Sequence, residues 1–293
     1  METLLCESCK SPTFLCKCNN TWKLFNETIT TNCGGGTVRI DDSGVSFTPL
    51  RISTMTICFN FNQFINLQIL KDNSPDFLSV NYKPGSKKSK EKKKKGSDEM
   101  FNSLGIKICF VDRSVEPMIF SNVNIFIFFN GKVTVSGVKT INTINIMIQE
   151  LIEIITSVEG VVENPENLIG ENVKIQMICS DFKIKPLKED PDGWCIKQEL
   201  LQNVLVNKFN MSATFSSLSR YPGINLKFPS VIEKDKQISL LIFRSGSIII
   251  TGAKHAQDLS EGYKFITDTI IKTGMALFYH DINEEIKQKK KKK

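Results

Sequence analysis

Apolar and polar positions follow the same pattern in two segments of the chain. Residues 125–139 read IFIFFNGKVTVSGVK, and residues 240–254 read LLIFRSGSIIITGAK. Five positions are identical at an offset of 115 residues, where Ile127, Phe128, Gly131, Gly137 and Lys139 recur as Ile242, Phe243, Gly246, Gly252 and Lys254. A shared offset over fifteen residues predicts two copies of one structural unit.

Each segment is predicted to form a β-hairpin followed by a helix. Asn130-Gly131 and Ser245-Gly246 are dipeptides that favour tight turns between strands. Alternating apolar and polar residues after each turn indicate a strand with one buried face, and we expect Gly137 and Gly252 to break these strands. Beyond them the apolar spacing changes to about 3.6 residues, which predicts a long helix. The two apolar stripes are Ile144, Ile148, Leu151, Ile152 and Ile155, and Leu259, Tyr263, Ile266 and Ile270.

Further strands are predicted upstream of each hairpin. The segments 52–59 and 106–111 precede the first hairpin, and 173–178 and 224–228 precede the second. A short helix is expected after 52–59 and another after 173–178. Each copy then has the order strand, helix, several antiparallel strands and long helix, which predicts an α+β fold.

The positive charge is concentrated in two lysine-rich tracts. The formal net charge is +7, and the tracts 86–96 (SKKSKEKKKKG) and 287–293 (KQKKKKK) contribute +6 each, so the rest of the chain carries −5. Runs of like charge often contact polyanions. The alternatives are a solvated loop and a localisation signal.

Other features of the sequence indicate the cellular compartment of the protein. No apolar run reaches eighteen residues, so no membrane-spanning helix is predicted. The first residues, METLLCESC, lack the basic and apolar regions of a secretory signal. Nine cysteines, an odd number, are then most consistent with free thiols in an intracellular, reducing compartment.

Several short motifs occur in the order and spacing of a known family. In the second half these are 221–224 (YPGI), 240–243 (LLIF), 245–246 (SG) and 250–254 (ITGAK); in the first half they are Phe101, 127–128 (IF), 130–132 (NGK) and 136–139 (SGVK). The chain thereby resembles the TATA-binding protein family over roughly residues 50–275. Its lysine-rich insert and its many Asn, Ile and Lys residues are similar to the TATA-binding-protein-like factors of large DNA viruses.

The resemblance implies a saddle in which two pseudo-symmetric repeats form one curved antiparallel sheet of about ten strands, with helices on the convex face. The expected divisions are a cysteine-containing extension (1–49), a first repeat (50–160, with the lysine-rich insert 84–99), a second repeat (161–280) and a lysine-rich tail (281–293). The family's concave face lies on the DNA minor groove, and the family is itself a standard case of apolar wedges that kink a duplex. The resemblance therefore implies a transcription initiation factor that binds and bends promoter DNA.

The resemblance also implies individual DNA contacts. The inserted aromatic pairs fall at Phe101 with Phe128 and at Tyr221 with Phe243, where tyrosine departs from the family's phenylalanine. For Phe128 and Phe243 the alternative is an ordinary place in the core. On the groove floor the resemblance implies contacts from Phe126, Leu241, Thr134 and Ile249. At the base edges it implies the hydroxyls of Ser136 and Thr251. The expected lysine contacts are Lys132, Lys139 and Lys254.

Three features depart from the family. An asparagine on the first strand of each repeat, which reads the central base step, is replaced by Arg51 and Met177. We therefore expect an A·T-rich preference with relaxed TATA specificity, set by groove shape and deformability. Residues 216–223 (SSLSRYPG) lack the acidic residues that hold transcription factor IIB, and the first long helix carries Glu150 and Glu153 where the family's is basic.

Four cysteines near the N-terminus have a spacing that is relevant to metal binding. Cys6, Cys9, Cys16 and Cys18 form C-x2-C-x6-C-x-C, and four thiolates could hold a structural zinc ion tetrahedrally. The second pair is closer together than in a usual zinc knuckle, so the alternative is free, buried cysteines in a β-rich extension. No other cofactor is expected.

The sequence favours a DNA-binding factor over an enzyme. His255 and His280 are its two histidines, no nucleophile motif accompanies them, and Asp190 and Asp192 flank a proline as turn residues do. The expected partners are double-stranded DNA, an RNA polymerase and a transcription factor IIB-like protein, with no membrane and no small-molecule substrate. The expected location is the nucleus, or a viral factory or virion. The alternative function is a TATA-binding-protein-like scaffold that mainly binds transcription proteins and has lost specific DNA recognition.

Overall fold

The structure is a computed structural model that describes residues 36–38, 44–74, 79–82, 102–113, 118–187, 193–218 and 222–282. The helices in this part are α1 (Leu67–Asp72), α2 (Ile141–Thr156), α3 (Gln198–Asn207) and α4 (Ala256–Thr273), with short 3₁₀ turns at Pro165–Asn167 and Gly274–Leu277. The strands are β1 (Gly36–Val38), β2 (Val45–Phe47), β3 (Arg51–Phe61), β4 (Ser79–Tyr82), β5 (Ser103–Asp112), β6 (Ile119–Phe128), β7 (Lys132–Val138), β8 (Gly170–Pro186), β9 (Trp194–Ile196), β10 (Ser212–Thr214), β11 (Gly223–Pro229), β12 (Gln237–Phe243), β13 (Ser247–Ala253) and β14 (Phe278–His280).

The described chain divides into two compact units. Unit 1 contains residues 54–176, and unit 2 contains the described residues up to Ser53 and those from Met177 onward. The divisions fall inside β3 and β8, so each of these strands contributes a segment to both units. The predicted boundary after residue 160 stays a prediction, because it was drawn from sequence motifs and not from contacts.

The two units have the same strand order. In unit 1 the order is β3-β7-β6-β5-β4, and in unit 2 it is β8-β13-β12-β11-β10, with every pairing antiparallel. In unit 2, β2 also pairs with β8, and β9 pairs with β14. Both repeated segments form the predicted hairpin and helix, as β6-β7-α2 and β12-β13-α4. The predicted fold class, a mainly antiparallel α+β sheet of about ten strands, is confirmed.

Each sheet has one face that is buried beneath its helices. Ile125, Ile127, Val133 and Val135 are fully buried in unit 1, and their counterparts in unit 2 are Leu240, Ile242, Ile248 and Ile250. The predicted helical stripes supply the other side of these cores, except that Ile152 is only half-buried. An ideal Cβ on Gly262 in α4 would lie 3.3 Å from the Ile238 side chain, so the helix backbone packs directly on β12. The alternate positions of the same strands stay partly open.

The strand breaks predicted at Gly137 and Gly252 are bulges, and each strand ends one residue later, at Val138 and Ala253. Both strands continue through these glycines, which have φ angles of +100° and +87°. In each case the pairing with the neighbouring strand shifts register at this point. The glycines therefore mark β-bulges, in which an extra residue is accommodated by a backbone conformation that favours glycine.

The two bulge glycines offer a matched pair for measuring backbone crowding. A Cβ on Gly137 would lie 2.1 Å from the carbonyl oxygen of Asn122, whereas a Cβ on Gly252 meets nothing closer than 4.0 Å. Both alanine substitutions incur the strain of a positive φ, roughly 1–3 kcal/mol. We expect Gly137→Ala to lower the free energy of unfolding by about 2 kcal/mol more than Gly252→Ala, because the backbone at Asn122 must also move to make room for the methyl group. Urea denaturation measures both; equal losses would contradict the crowding argument.

Candidate nucleic-acid interface

The partly open face of each sheet is built from cross-strand rows. In unit 1, Phe126 pairs with Thr134, which pairs with Cys58. The equivalent row in unit 2 joins Leu241, Ile249 and Asp181. A second row joins Asn124, Ser136 and Thr56 in unit 1, and Ser239 pairs with Thr251 in unit 2. The structure thus places the predicted groove-floor and hydroxyl residues of each unit side by side on one face.

Two of the predicted aromatic wedges occupy equivalent ends of this face. Phe128 ends β6 and Phe243 ends β12, and both side chains are half-buried, unlike their fully buried neighbours Ile127 and Ile242. The ring of Phe243 covers Gly223, where an ideal Cβ would lie 3.2 Å from a ring carbon. The rings therefore belong to the open face and not to the core beneath the helices.

Several predicted features lie outside the described residues. These are Phe101, Tyr221, the lysine-rich insert 84–99, the lysines of the tail, Asp190 and Asp192, and the cysteines Cys6, Cys9, Cys16 and Cys18. Within the described part, no group of three or more His, Cys, Asp or Glu side chains is arranged to hold a metal ion. None of the helices described above is long and apolar enough to cross a bilayer.

Strand register corrects the pairing of Arg51 with Met177. Met55 pairs with Val138, and Ile178 pairs with Ala253, so Met55 and Ile178 are equivalent positions. The repeat-mate of Met177 is therefore Thr54. The error arose because the two units differ in chain length between the first strand and its partner strand. Met55 and Val138 are 83 residues apart, whereas Ile178 and Ala253 are 75 residues apart, a difference of eight. Counting backwards from each hairpin and allowing for the lysine-rich insert would have found Thr54.

Thr54 and Met177 both lie beside the bulge of their own unit, but they make different contacts there. The Thr54 hydroxyl accepts a hydrogen bond from the backbone N–H of Gly137 at 3.1 Å. In unit 2 the Thr251 hydroxyl lies 3.7 Å from the Met177 sulfur and 3.1 Å from the Cys179 sulfur. Neither Thr54 nor Met177 carries an amide group, so the expected absence of the asparagine pair does not depend on the register error.

Arg51 is held in an ion pair within unit 2. Its Nη2 donates to both carboxylate oxygens of Asp181, at 3.1 and 2.9 Å, and its Nε donates to Oδ1 at 3.3 Å. The Arg51 side chain is 75% exposed and that of Asp181 is 31% exposed. Asp181 cannot be identified as the partner of Arg51 from sequence, because nothing in the sequence links residues that are 130 positions apart.

The two equivalent lysines that follow the bulges are engaged with the protein itself. Lys139 donates to the carbonyl oxygen of Phe120 at 2.8 Å. Lys254 lies 3.2 and 3.3 Å from the carboxylate oxygens of Glu233, and His255 lies 3.3 Å from the same carboxylate. The hydrogen bond from Lys254, and then that from His255, hold the pKa of Glu233 below its usual value. Lys132 is exposed at the start of β7.

Comparisons with known proteins match this chain to TATA-binding proteins. The family model described as transcription factor TFIID, or TATA-binding protein, matches residues 202–273. A TATA-box-binding protein-like protein of Acanthamoeba polyphaga mimivirus is 23% identical over 74% of this chain, which spans 64% of that relative's length. The TATA-box-binding protein of Methanocaldococcus jannaschii is 28% identical over 50% of this chain and 68% of its own. Among solved structures, Methanococcus jannaschii TBP aligns with a TM-score of 0.49 at 22% identity, covering 76% of this chain and 98% of that one.

The matches overlap the segments on which the sequence resemblance was based. The family match covers α3 to α4, a segment that includes the second copy of the repeated phrase, and the mimivirus alignment extends over both halves of the chain. Together with the strand order that recurs in both units, these similarities confirm that the chain resembles the TATA-binding protein family, including a viral TATA-box-binding protein-like protein.

Proposed function

We propose that the chain is a transcription initiation factor that binds and bends promoter DNA through the minor groove, with an A·T-rich preference and relaxed TATA specificity. One observation carries this proposal. In each unit the sheet face opposite the helices presents an apolar residue, a hydroxyl and a phenylalanine at register-equivalent positions: Phe126, Ser136 and Phe128 in unit 1, and Leu241, Thr251 and Phe243 in unit 2. The role is one of binding and deformation, with no chemical reaction.

The composition of this face suits the minor groove. The groove of an A·T pair offers only acceptors, at adenine N3 and thymine O2. Hydroxyl donors such as those of Ser136 and Thr251 match these acceptors, and flat apolar side chains fill the remaining surface. An aromatic ring at the end of the face can enter a base step, where partial unstacking kinks the duplex towards the major groove.

Relaxed specificity follows from the first-strand residues. Thr54 and Met177 supply no amide pair to the central step, and Arg51 is engaged with Asp181. Preference should then depend on the width and deformability of the groove more than on hydrogen bonds to particular base edges.

Duplex binding at two salt concentrations tests this function. The full chain should bind an A·T-rich duplex at least tenfold more tightly than a G·C-rich duplex at both concentrations. Changing one A·T pair to T·A within the site should cost less than the roughly 1–3 kcal/mol of a specifically read position. Equal affinity for the two duplexes, or no measurable binding, would contradict the proposal.

The Glu233–Lys254 ion pair leads to a separate prediction. Glu233→Gln removes the charge that neutralises Lys254, so the lysine becomes available to a phosphate. We expect tighter DNA binding at low salt and a log–log salt slope that is steeper by up to about 0.9, the value for one more neutralised phosphate. Glu261→Gln, on the exposed surface of α4, is the matched control for net charge. Identical slopes for the two variants would place Lys254 away from DNA.

The proposed partners and cellular location rest on the resemblance to the TATA-binding protein family and on the acidic surface of α2. We infer an RNA polymerase and a transcription factor IIB-like protein as partners, in a nucleus or a viral factory. On α2, partial burial and then the negative charge of Glu153 raise the pKa of Glu150, so two carboxylates lie close together there. A partner that docks on this helix should therefore present basic residues.

A scaffold that binds proteins and lacks specific DNA recognition is the second candidate. It is favoured by the internal bonds of Lys139 and Lys254 and by the carboxylate of Asp181 on the open face. The same duplex experiment separates the two functions, because the scaffold would show no preference for A·T-rich DNA.

A further inference from the structure

Asp181 places a carboxylate on the open face of unit 2. It pairs with Ile249, which pairs with Leu241, and this row alternates with the buried Ser180, Phe182, Ile248 and Ile250. Among the residues of β12, β13 and the unit 2 part of β8 (177–186), Asp181 is the one acidic residue. An acidic group on a surface proposed to lie against DNA requires an explanation, because phosphates repel it.

We propose that Asp181 selects a G·C pair at one base step beneath unit 2, by accepting a hydrogen bond from the N2 amino group of guanine. This inference rests on the proposed function. In the minor groove the guanine amino group is the one donor, and A·T pairs present only acceptors. A carboxylate is an acceptor without a donor, so it is matched by guanine and opposed by the acceptors of an A·T pair.

Arg51 makes this use of a carboxylate feasible. Its guanidinium neutralises Asp181 and fixes the orientation of both oxygens through three contacts of 2.9 to 3.3 Å. An ionised carboxylate has about four acceptor positions, so at least one remains on Oδ2. Arg51 is therefore a positioning residue for Asp181, and its own charge offsets the repulsion between Asp181 and the phosphates.

The selection belongs to unit 2. The position in unit 1 that is equivalent to Asp181 is Cys58, because Cys58 pairs with Thr134 as Asp181 pairs with Ile249. Cys58 offers no carboxylate. A preferred G·C pair beneath unit 2 would therefore distinguish the DNA contacts of the two repeats, which otherwise present similar apolar and hydroxyl groups.

Inosine isolates the group that Asp181 would recognise. An inosine·cytosine pair lacks the N2 amino group and presents the minor-groove pattern of an A·T pair. In a series of A·T-rich duplexes, each with one G·C or one inosine·cytosine pair, the full chain should bind one G·C duplex about five- to tenfold more tightly than its inosine counterpart. This is within the range for one specifically read base pair.

Three variants complete the test. Asp181→Leu should abolish the guanine–inosine difference while binding to the unsubstituted A·T-rich duplex persists. Asp181→Asn keeps an acceptor oxygen and should retain part of the difference. Cys58→Asp should create a second guanine-preferring position on the unit 1 side. If the unaltered chain binds none of the duplexes, the proposed function itself is overturned. Normal A·T-rich binding with equal guanine and inosine affinities, or a difference that survives Asp181→Leu, would overturn the role of Asp181 alone.

Discussion

Replacing Phe128 and Phe243 together by alanine is expected to remove most DNA bending while the protein stays folded. Both rings lie on the open face at the ends of equivalent strands and are only half-buried. Without them nothing of comparable size enters a base step from these two positions, so we expect at least about 2 kcal/mol of binding free energy to be lost, as for an interface hot spot. Energy transfer between dyes at the two ends of a duplex measures the bend.

The matched controls lie on the buried face of the same sheets. Phe59 and Phe182 occupy equivalent positions in β3 and β8 and are about 1% exposed. Alanine at either should cost roughly 3–5 kcal/mol of unfolding free energy, the usual range for a buried phenylalanine. Phe128→Ala and Phe243→Ala should each cost only about 1–2 kcal/mol. If these two variants unfold as readily as the controls, Phe128 and Phe243 are core residues and the wedge hypothesis is wrong.

Removing the charge of the lysine-rich insert is expected to have the largest effect on salt dependence. The seven lysines in 87–95 contrast with an otherwise acidic body, so they should supply much of the counterion release on binding. The log–log salt slope for B-DNA is about −0.9 per neutralised phosphate. Replacing the seven lysines by serine, which preserves the length of the insert, should flatten the slope by roughly 2–4.

The A·T preference should survive this change, because phosphate contacts carry no direct sequence information. The corresponding serine replacement in the tail, residues 287–293, is the control for charge elsewhere in the chain. An unchanged slope after replacement of the insert would assign it to localisation or to an acidic protein partner. Equal flattening by both replacements would show a nonspecific effect of net charge.

The amino-acid sequence determined the repeat, the element types and the resemblance to the TATA-binding protein family. The paired phrases, the change of apolar period after each hairpin and the turn dipeptides are local signals, and each corresponds to an observed element. The open-face positions of β6, β7, β12 and β13 also follow from local alternation, because side chains on a strand point to opposite faces in turn. Their contact with DNA remains a prediction.

Only the tertiary structure decided register, bulges and long-range charge pairs. A positive φ at Gly137 is set by pairing with a distant strand, so the sequence could not separate a bulge from a strand end. Thr54 was missed because loop length differs between the repeats, and loop length leaves no periodic signal. The Arg51–Asp181 pair joins residues that meet only after the sheet has formed. Local pattern therefore determines which residues can form the face, and long-range pairing determines which of their charges and hydroxyls are free to act on it.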